Sequence, residues 1–117
     1  MRAPRPLARG DVVLISFPFT DLSAQKLRPA LVVGRVAGDD VIVAFVTSQS
    51  QSRTTPAMCV VDLQHPEFGA TGLRTVSTVR LDKLATLERQ LVARRLGNIG
   101  PQITAAVAAA IRYVFGI

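Results

Sequence analysis

The chain has 117 residues, 49% of them hydrophobic, with 14 Lys and Arg against 8 Asp and Glu for a formal net charge of +6. That length suits one domain, read as residues 1–117 with a flexible leader over residues 1–8, and the apolar share argues against disorder elsewhere. The basic excess favours a phosphate-bearing or otherwise acidic partner over a neutral small molecule. One cysteine and one histidine exclude an internal disulfide, a Cys/His metal cluster and a paired-histidine ribonuclease.

The opening Met1-Arg2-Ala3-Pro4-Arg5-Pro6-Leu7 has no apolar stretch behind it, so no signal peptide is expected. No run approaches the length of a membrane span. The expectation is a cytoplasmic protein without membrane contact.

The first predicted strand is Val12 to Phe17, stopped by Pro18. Pro29 to Val36 is the second and Val41 to Val46 the third, with hairpin chemistry in Gly38-Asp39-Asp40 between them. Met58 to Leu63, Thr75 to Leu81 and Leu91 to Leu96 follow as the fourth, fifth and sixth. The last segment changes period. Pro101 suits a first helical position, Ile103, Val107, Ala110, Ile111 and Val114 recur at helical spacing, and Gly116 suits the end. Such a helix has one apolar face to bury on a sheet or a partner. Short strands plus one terminal helix suggest a mainly β chain: a small, strongly bent antiparallel sheet or barrel.

The second hairpin carries the main inference about chemistry. A tight turn at Gly38-Asp39, or a four-residue loop from Ala37 to Asp40, makes Val36 face Val41. Counting outward sets Ala30 opposite Thr47 and Arg28 opposite Gln49. Directly opposed residues share a face, so Arg28 and Thr47 become diagonal neighbours at the open end of the hairpin. A one-residue change of register would separate them. Pro29 confines Arg28 to extended conformations. Thr47 ends an apolar strand and opens the polar run Ser48-Gln49-Ser50-Gln51-Ser52, while the polar loop 20–27 carries Lys26. An arginine and a hydroxyl between two polar loops make a plausible groove for a phosphodiester; the competing reading is two solvated strand ends.

Other chemistries have little support. Cys59, in an apolar run, reads as a core residue. His65, in Gln64-His65-Pro66-Glu67, reads as part of a surface turn. The acids are scattered without metal-site spacing, and neither a glycine-rich phosphate loop nor a G-x-S-x-G elbow is present. No aromatic stripe stacks successive bases, so base recognition would lean on hydrogen bonds. The arginines and lysines fall into groups, among them Lys26, Arg28 and Arg53; Arg74, Arg80 and Lys83; and Arg89, Arg94 and Arg95. Adjacent Arg94 and Arg95 must point to opposite faces of a strand.

Gly10-Asp11-Val12-Val13-Leu14, Phe17-Pro18-Phe19-Thr20-Asp21, Arg28-Pro29-Ala30-Leu31-Val32-Val33 and Val46-Thr47-Ser48-Gln49 together resemble the MazF/PemK toxins. Gly72-Leu73, Ser77 and Asp82-Lys83-Leu84 extend the resemblance, which spans about residues 9 to 115; its specificity lies in the ordered combination. It implies a small SH3-like antiparallel barrel with a C-terminal α-helix (MazF/CcdB-like), a homodimer, and the toxin role in a type II toxin–antitoxin system. It also implies metal-independent, sequence-selective cleavage of single-stranded RNA, with no cofactor and with a cognate antitoxin as partner. In that family's terms Arg28 serves acid–base and transition-state roles and Thr47 holds the scissile phosphate. The RNA 2′-hydroxyl is the nucleophile, leaving a 2′,3′-cyclic phosphate and a 5′-hydroxyl. Physics favours charge stabilisation for Arg28, because a guanidinium stays protonated far above neutral pH. Lys26, Ser48, Gln49 and Ser77 are the candidate RNA-binding residues, and no residue stands out as general base. The alternatives are a non-enzymatic CcdB-like gyrase poison on the same fold, disfavoured by the bland helix face from Thr104 to Ala110, and a nucleic-acid-binding barrel without chemistry.

Overall fold

A computed structural model describes residues 6–16, 26–49 and 53–117. The motif 17–21, most of the loop 20–27 and residues 50–52 lie outside the described residues. So do positions 1–5 of the expected flexible leader. Among the described residues six strands form one antiparallel sheet: β1 (Asp11–Ser16), β2 (Leu27–Arg35), β3 (Val41–Thr47), β4 (Met58–Val61), β5 (Ser77–Leu87) and β6 (Val92–Asn98), with helix α1 (Pro101–Phe115) at the end. The sheet order is β4-β5-β3-β2-β1-β6. No helix is long and apolar enough to cross a membrane among the described residues.

Period-two alternation explains the layout. Val12, Leu31, Ala44, Val46, Val79 and Leu81 point to one face, where Ile103, Val107 and Ala110 of α1 cover them. Val13, Ile15, Ala30, Val32, Val43, Leu87 and Val92 point to the other face and form a second core. Strand β2 is thus buried on both faces from Ala30 to Val33. Each fully buried branched side chain of this kind contributes about 1.5–3 kcal/mol. Leu7, expected in the flexible leader, joins the second core at 7% exposure. The Ala8 N–H donates to Asp11 Oδ2 at 2.9 Å, which ties that segment to the start of β1.

The mainly β architecture with a terminal helix is the expected one. Its hydrogen-bond ladder does not close, since β4 and β6 are edges. The gap beside β6 is filled by a single 3-10 turn, Gly69–Thr71. That turn ends at Gly72, whose φ of 74° is easy only for glycine. It approaches so closely that a Cβ on Gly97 would lie 2.7 and 2.8 Å from the Thr71 carbonyl carbon and oxygen.

Glu67 caps α1 from outside the helix. Its Oε2 accepts the Gln102 N–H and its Oε1 the Ile103 N–H, both at 2.9 Å. Gly100, the residue before Pro101, has no side chain to do this. Desolvation would push the Glu67 carboxyl up, but the two backbone donors, helped by His65, outweigh it and hold the carboxyl below the usual carboxylate range. The turn read from Gln64 to Glu67 is present, with the His65 N–H donating to the Asp62 carbonyl. It also ends β4 two residues earlier than expected, at Val61.

The register of the β2–β3 hairpin departs from the sequence reading. Arg35, not Val36, faces Val41, so the loop is five residues, Val36 to Asp40. That alone would shift the pairing by one. Between Val32 and Gly34 the ladder slips again, because Val33 and Gly34 share Ile42 as their opposite. The outcome is Ala30 opposite Phe45, where Thr47 was expected. A bulge of this kind also sharpens the local twist.

Candidate active site: an arginine–threonine cleft

Two residues beyond the Ala30–Phe45 pair, the same register brings Arg28 level with Thr47. The loop and the bulge each move the register by one, so face parity survives the double shift. Arg28 and Thr47 therefore share a face as opposed residues, where the sequence reading had them diagonal and Gln49 opposite Arg28. Both line a cleft of about 500 Å³, together with Phe45 and Val46.

Chemical readiness differs among the residues of the cleft. Among the described residues none holds the exposed Arg28 guanidinium. Thr47 Oγ1 accepts the Gln49 N–H at 3.1 Å, which commits a lone pair and leaves the hydroxyl proton to be donated. Gln49 itself lines the cleft, while Ser48, which precedes it, points into two neighbouring cavities of about 380 and 300 Å³. Exposed Lys26 stands one residue before β2 and lines none of these cavities. Ser77 is 3% exposed, and its hydroxyl donates to the Thr75 carbonyl at 2.8 Å. It borders the 380 Å³ cavity from beneath.

The sequence reading did not assign two cations to this cleft, Arg80 and Lys83. Their placement depends on a break in β5. Ala44 pairs with Leu84 but Phe45 pairs with Arg80, so Leu81, Asp82 and Lys83 have no counterpart in β3. Leu81 turns inward, fully buried, and its N–H donates to the Ala57 carbonyl at 3.0 Å. Arg80 Nε donates to Asp82 Oδ1 at 2.9 Å and Nη2 to Oδ2 at 2.8 Å. That fork raises the Arg80 pKa above its already high value and holds the Asp82 carboxyl below the usual range. The signal available in sequence was an Arg and an Asp two apart in a strand, which share a face.

Arg94 and Arg95 do point apart, as alternation requires. Arg94 borders the 380 Å³ cavity, whereas Arg95 Nε lies 3.4 Å from buried Asp11. Cys59 is buried, and desolvation raises its thiol pKa. Among the described residues no three His, Cys, Asp or Glu side chains converge as metal ligands. The cleft can therefore bind an anion between a guanidinium and a hydroxyl donor, with further positive charge on one side.

A family model described as PemK-like, MazF-like toxin of type II toxin–antitoxin system matches residues 8–115. No curated protein sequence matches. Among solved structures, an endoribonuclease in complex with its cognate antitoxin from Mycobacterial species superposes with a TM-score of 0.73 at 20% identity, covering 98% of this chain and 97% of that one. The Mycobacterium tuberculosis toxin MazF-mt6 gives 0.70 at 22% identity, over 92% and 97%. A MazE–MazF structure from Deinococcus radiodurans gives 0.71 at 18% identity, over 97% and 99%. At these identities the structures show a shared fold.

Proposed function

Because the chain belongs to the PemK-like, MazF-like toxins of type II toxin–antitoxin systems, we propose that its cleft is the active site of a metal-independent, sequence-selective endoribonuclease for single-stranded RNA. The observation that carries this is the meeting of Arg28 and Thr47 in one cleft lined by further cations. The whole chain, residues 1–117, acts as one domain in the cytoplasm, as a homodimer, without a metal or other cofactor, and is silenced by a cognate antitoxin.

The RNA 2′-hydroxyl attacks its own 3′-phosphorus. The P–O bond to the 5′ oxygen of the next nucleotide breaks, leaving a 2′,3′-cyclic phosphate and a 5′-hydroxyl. The 2′ proton leaves the nucleophile and a proton arrives on the leaving oxygen, so the reaction consumes no co-reactant. Arg28 supports this by stabilising the added negative charge at phosphorus, aiming up to two N–H donors at the non-bridging oxygens. Thr47, its lone pair committed to the Gln49 N–H, donates its proton to a non-bridging oxygen and fixes the phosphate for in-line attack. Lys26, Ser48, Gln49 and Ser77 belong to the RNA-binding surface in this reading, with Ser77 acting through the wall it supports.

The test is a long mixed-sequence RNA incubated with the protein in EDTA, with 5′ ends mapped and Arg28→Ala alongside. Discrete 5′-hydroxyl ends are expected from the wild type. In the variant, cleavage should fall by about a hundredfold or more, the scale for loss of one transition-state donor. A variant that cuts at the wild-type rate would remove Arg28 from the mechanism. Intact RNA with folded, antitoxin-free wild type would remove the ribonuclease reading.

A further inference from the structure

Consecutive residues divide between two cavities at the open end of the β2–β3 hairpin. Arg28 and Thr47 line the cleft, while Pro29 and Ser48, the residues that follow them, line the cavity of about 380 Å³. That cavity has an apolar floor. Leu14, Pro29, Leu73 and Leu96 are half-buried there, and Leu27 is 51% exposed. Arg74 and Arg94, both exposed, complete the lining. They come from distant parts of the chain and are brought together by the seam beside β6. Each lies two residues from the close approach of Gly72 to Leu96, where a Cβ on Gly72 would stand 3.0 Å from the Leu96 Cβ. Among the described residues neither guanidinium has a hydrogen-bonded or ionic partner, and no carboxylate lines the cavity. Two like charges gathered at one mouth repel each other, a cost that a ligand rich in acceptors reverses.

Resting on the ribonuclease reading above, we propose that this cavity takes a guanine base of the RNA near the scissile phosphate, and that Arg74 and Arg94 set the sequence preference there. The choice of base follows from donors and acceptors. A guanidinium only donates, so it seeks two adjacent acceptors, and guanine offers O6 and N7 side by side. Adenine sets its N6 amino donor beside N7 at the same edge, and uracil separates O2 from O4 with the N3 proton. Cytosine has an adjacent pair, O2 and N3, but its single ring covers less of the apolar floor than a purine does. Guanine's own donors, N1–H and the N2 amino group, find acceptors in the hydroxyls of Ser48 and Thr75, which also line the cavity. One guanidinium grips the O6/N7 edge while the other lies over the ring, a face on which arginine stacks well. Both edges of a base are open at once only in a single strand.

The experiment selects from a fully randomised pool of 2′-O-methyl RNA, which lacks the nucleophilic hydroxyl, and sequences the fraction held by the wild-type protein. Guanine should be enriched at one fixed position. Oligomers differing only there should rank guanine above the other three bases by about five- to 150-fold, the range for one bidentate arginine–guanine pair. Replacing that guanine by 7-deazaguanine removes N7 alone and should weaken binding at least about fivefold; this arm uses wild-type protein and needs no variant to fold. Arg74→Lys and Arg94→Lys together keep the charge but not the planar fork, so the preference should collapse while binding of guanine-free oligomers stays. Enrichment of another base, a wild-type preference in the double variant, or indifference to 7-deazaguanine overturns the guanine site. So does an equal loss of affinity for every oligomer in the variant, the mark of phosphate contacts alone, or a folded wild type that binds none of the pool. RNA cleaved in EDTA with no base enriched removes the site and leaves the ribonuclease reading standing. Guanine enrichment without cleavage by the wild type removes the ribonuclease reading and leaves the site.

Discussion

Replacing Gly97 by Ala tests whether the seam beside β6 is as tight as it looks. The added Cβ would lie 2.7 and 2.8 Å from the carbonyl carbon and oxygen of Thr71 and closer still to the Ala70 carbonyl oxygen. These are backbone atoms of the 3-10 turn and cannot swing aside like a side chain. The turn must move away from β6, taking with it Phe68 and Leu73, which pack against the first core. Overpacking of this kind costs about 1–3 kcal/mol, offset in part by the roughly 0.4–1 kcal/mol that alanine gains through a less flexible unfolded chain. Gly34→Ala is the matched control. Its Cβ would meet only the Ile42 side chain, at 3.5 Å, so the entropy gain remains and the variant should equal or exceed wild type. The two variants should differ by about 2 kcal/mol, or about 1–2 M in urea midpoint at the m-values of small proteins. The chain has no Trp, so unfolding is followed by far-ultraviolet circular dichroism, at one protein concentration because assembly shifts apparent stability. A Gly97→Ala midpoint at or above that of Gly34→Ala would refute the account of the seam.

Glu67 predicts a pH dependence with a definite sign. Its carboxyl is held below the usual range, so its capping contribution is fully present above the unfolded-state pKa and is lost as pH falls through the folded-state one. The stability difference between wild type and Glu67→Gln should be largest near neutrality and shrink on acidification; a difference that grows would contradict the cap. Cys59, buried and with a raised pKa, should react with a thiol reagent only through opening of the fold. Modification should be at least about four-thousandfold slower in native than in urea-unfolded protein, given a stability of at least about 5 kcal/mol.

The strands and helix were legible because their apolar periods are clean. Val12–Ile15 and Val41–Val46 are unbroken β-type runs, and Ile103, Val107 and Ala110 keep helical spacing into the core. Register was not legible. The one hint of the bulge was Gly34, a glycine inside a strand, and it went unread because Val33 still points to the core its alternation demands. Arg28 and Thr47 nonetheless reach a common cleft, since two one-residue slips preserve parity. The route to that juxtaposition was therefore incorrect in detail, and a single slip would have undone it. The length of β5 was misjudged at Leu81, because Asp82-Lys83 looks like a strand end. In the structure it is an interruption, after which pairing resumes with Leu84 opposite Ala44. That interruption carries the unanticipated cations. Glu67 lies 35 residues from Gln102 in the chain, a separation at which local capping rules have no reach.

The double-sided burial of β2 governs how this protein can change over time. The backbone amides of Ala30 to Val33 sit between two cores, so their hydrogen exchange demands opening close to that of the whole domain. Arg28 is two residues from that stretch and inherits a rigid mount, whereas Lys26, Ser48 and Gln49 stand in exposed positions off the strand ends. Substitutions at those positions alter what the cleft meets without touching what holds Arg28 and Thr47 in place. Descendants of such a chain can change what surrounds the cleft while the positions of Arg28 and Thr47 stay constant, because drift is cheap at the rim and prohibitive beneath it.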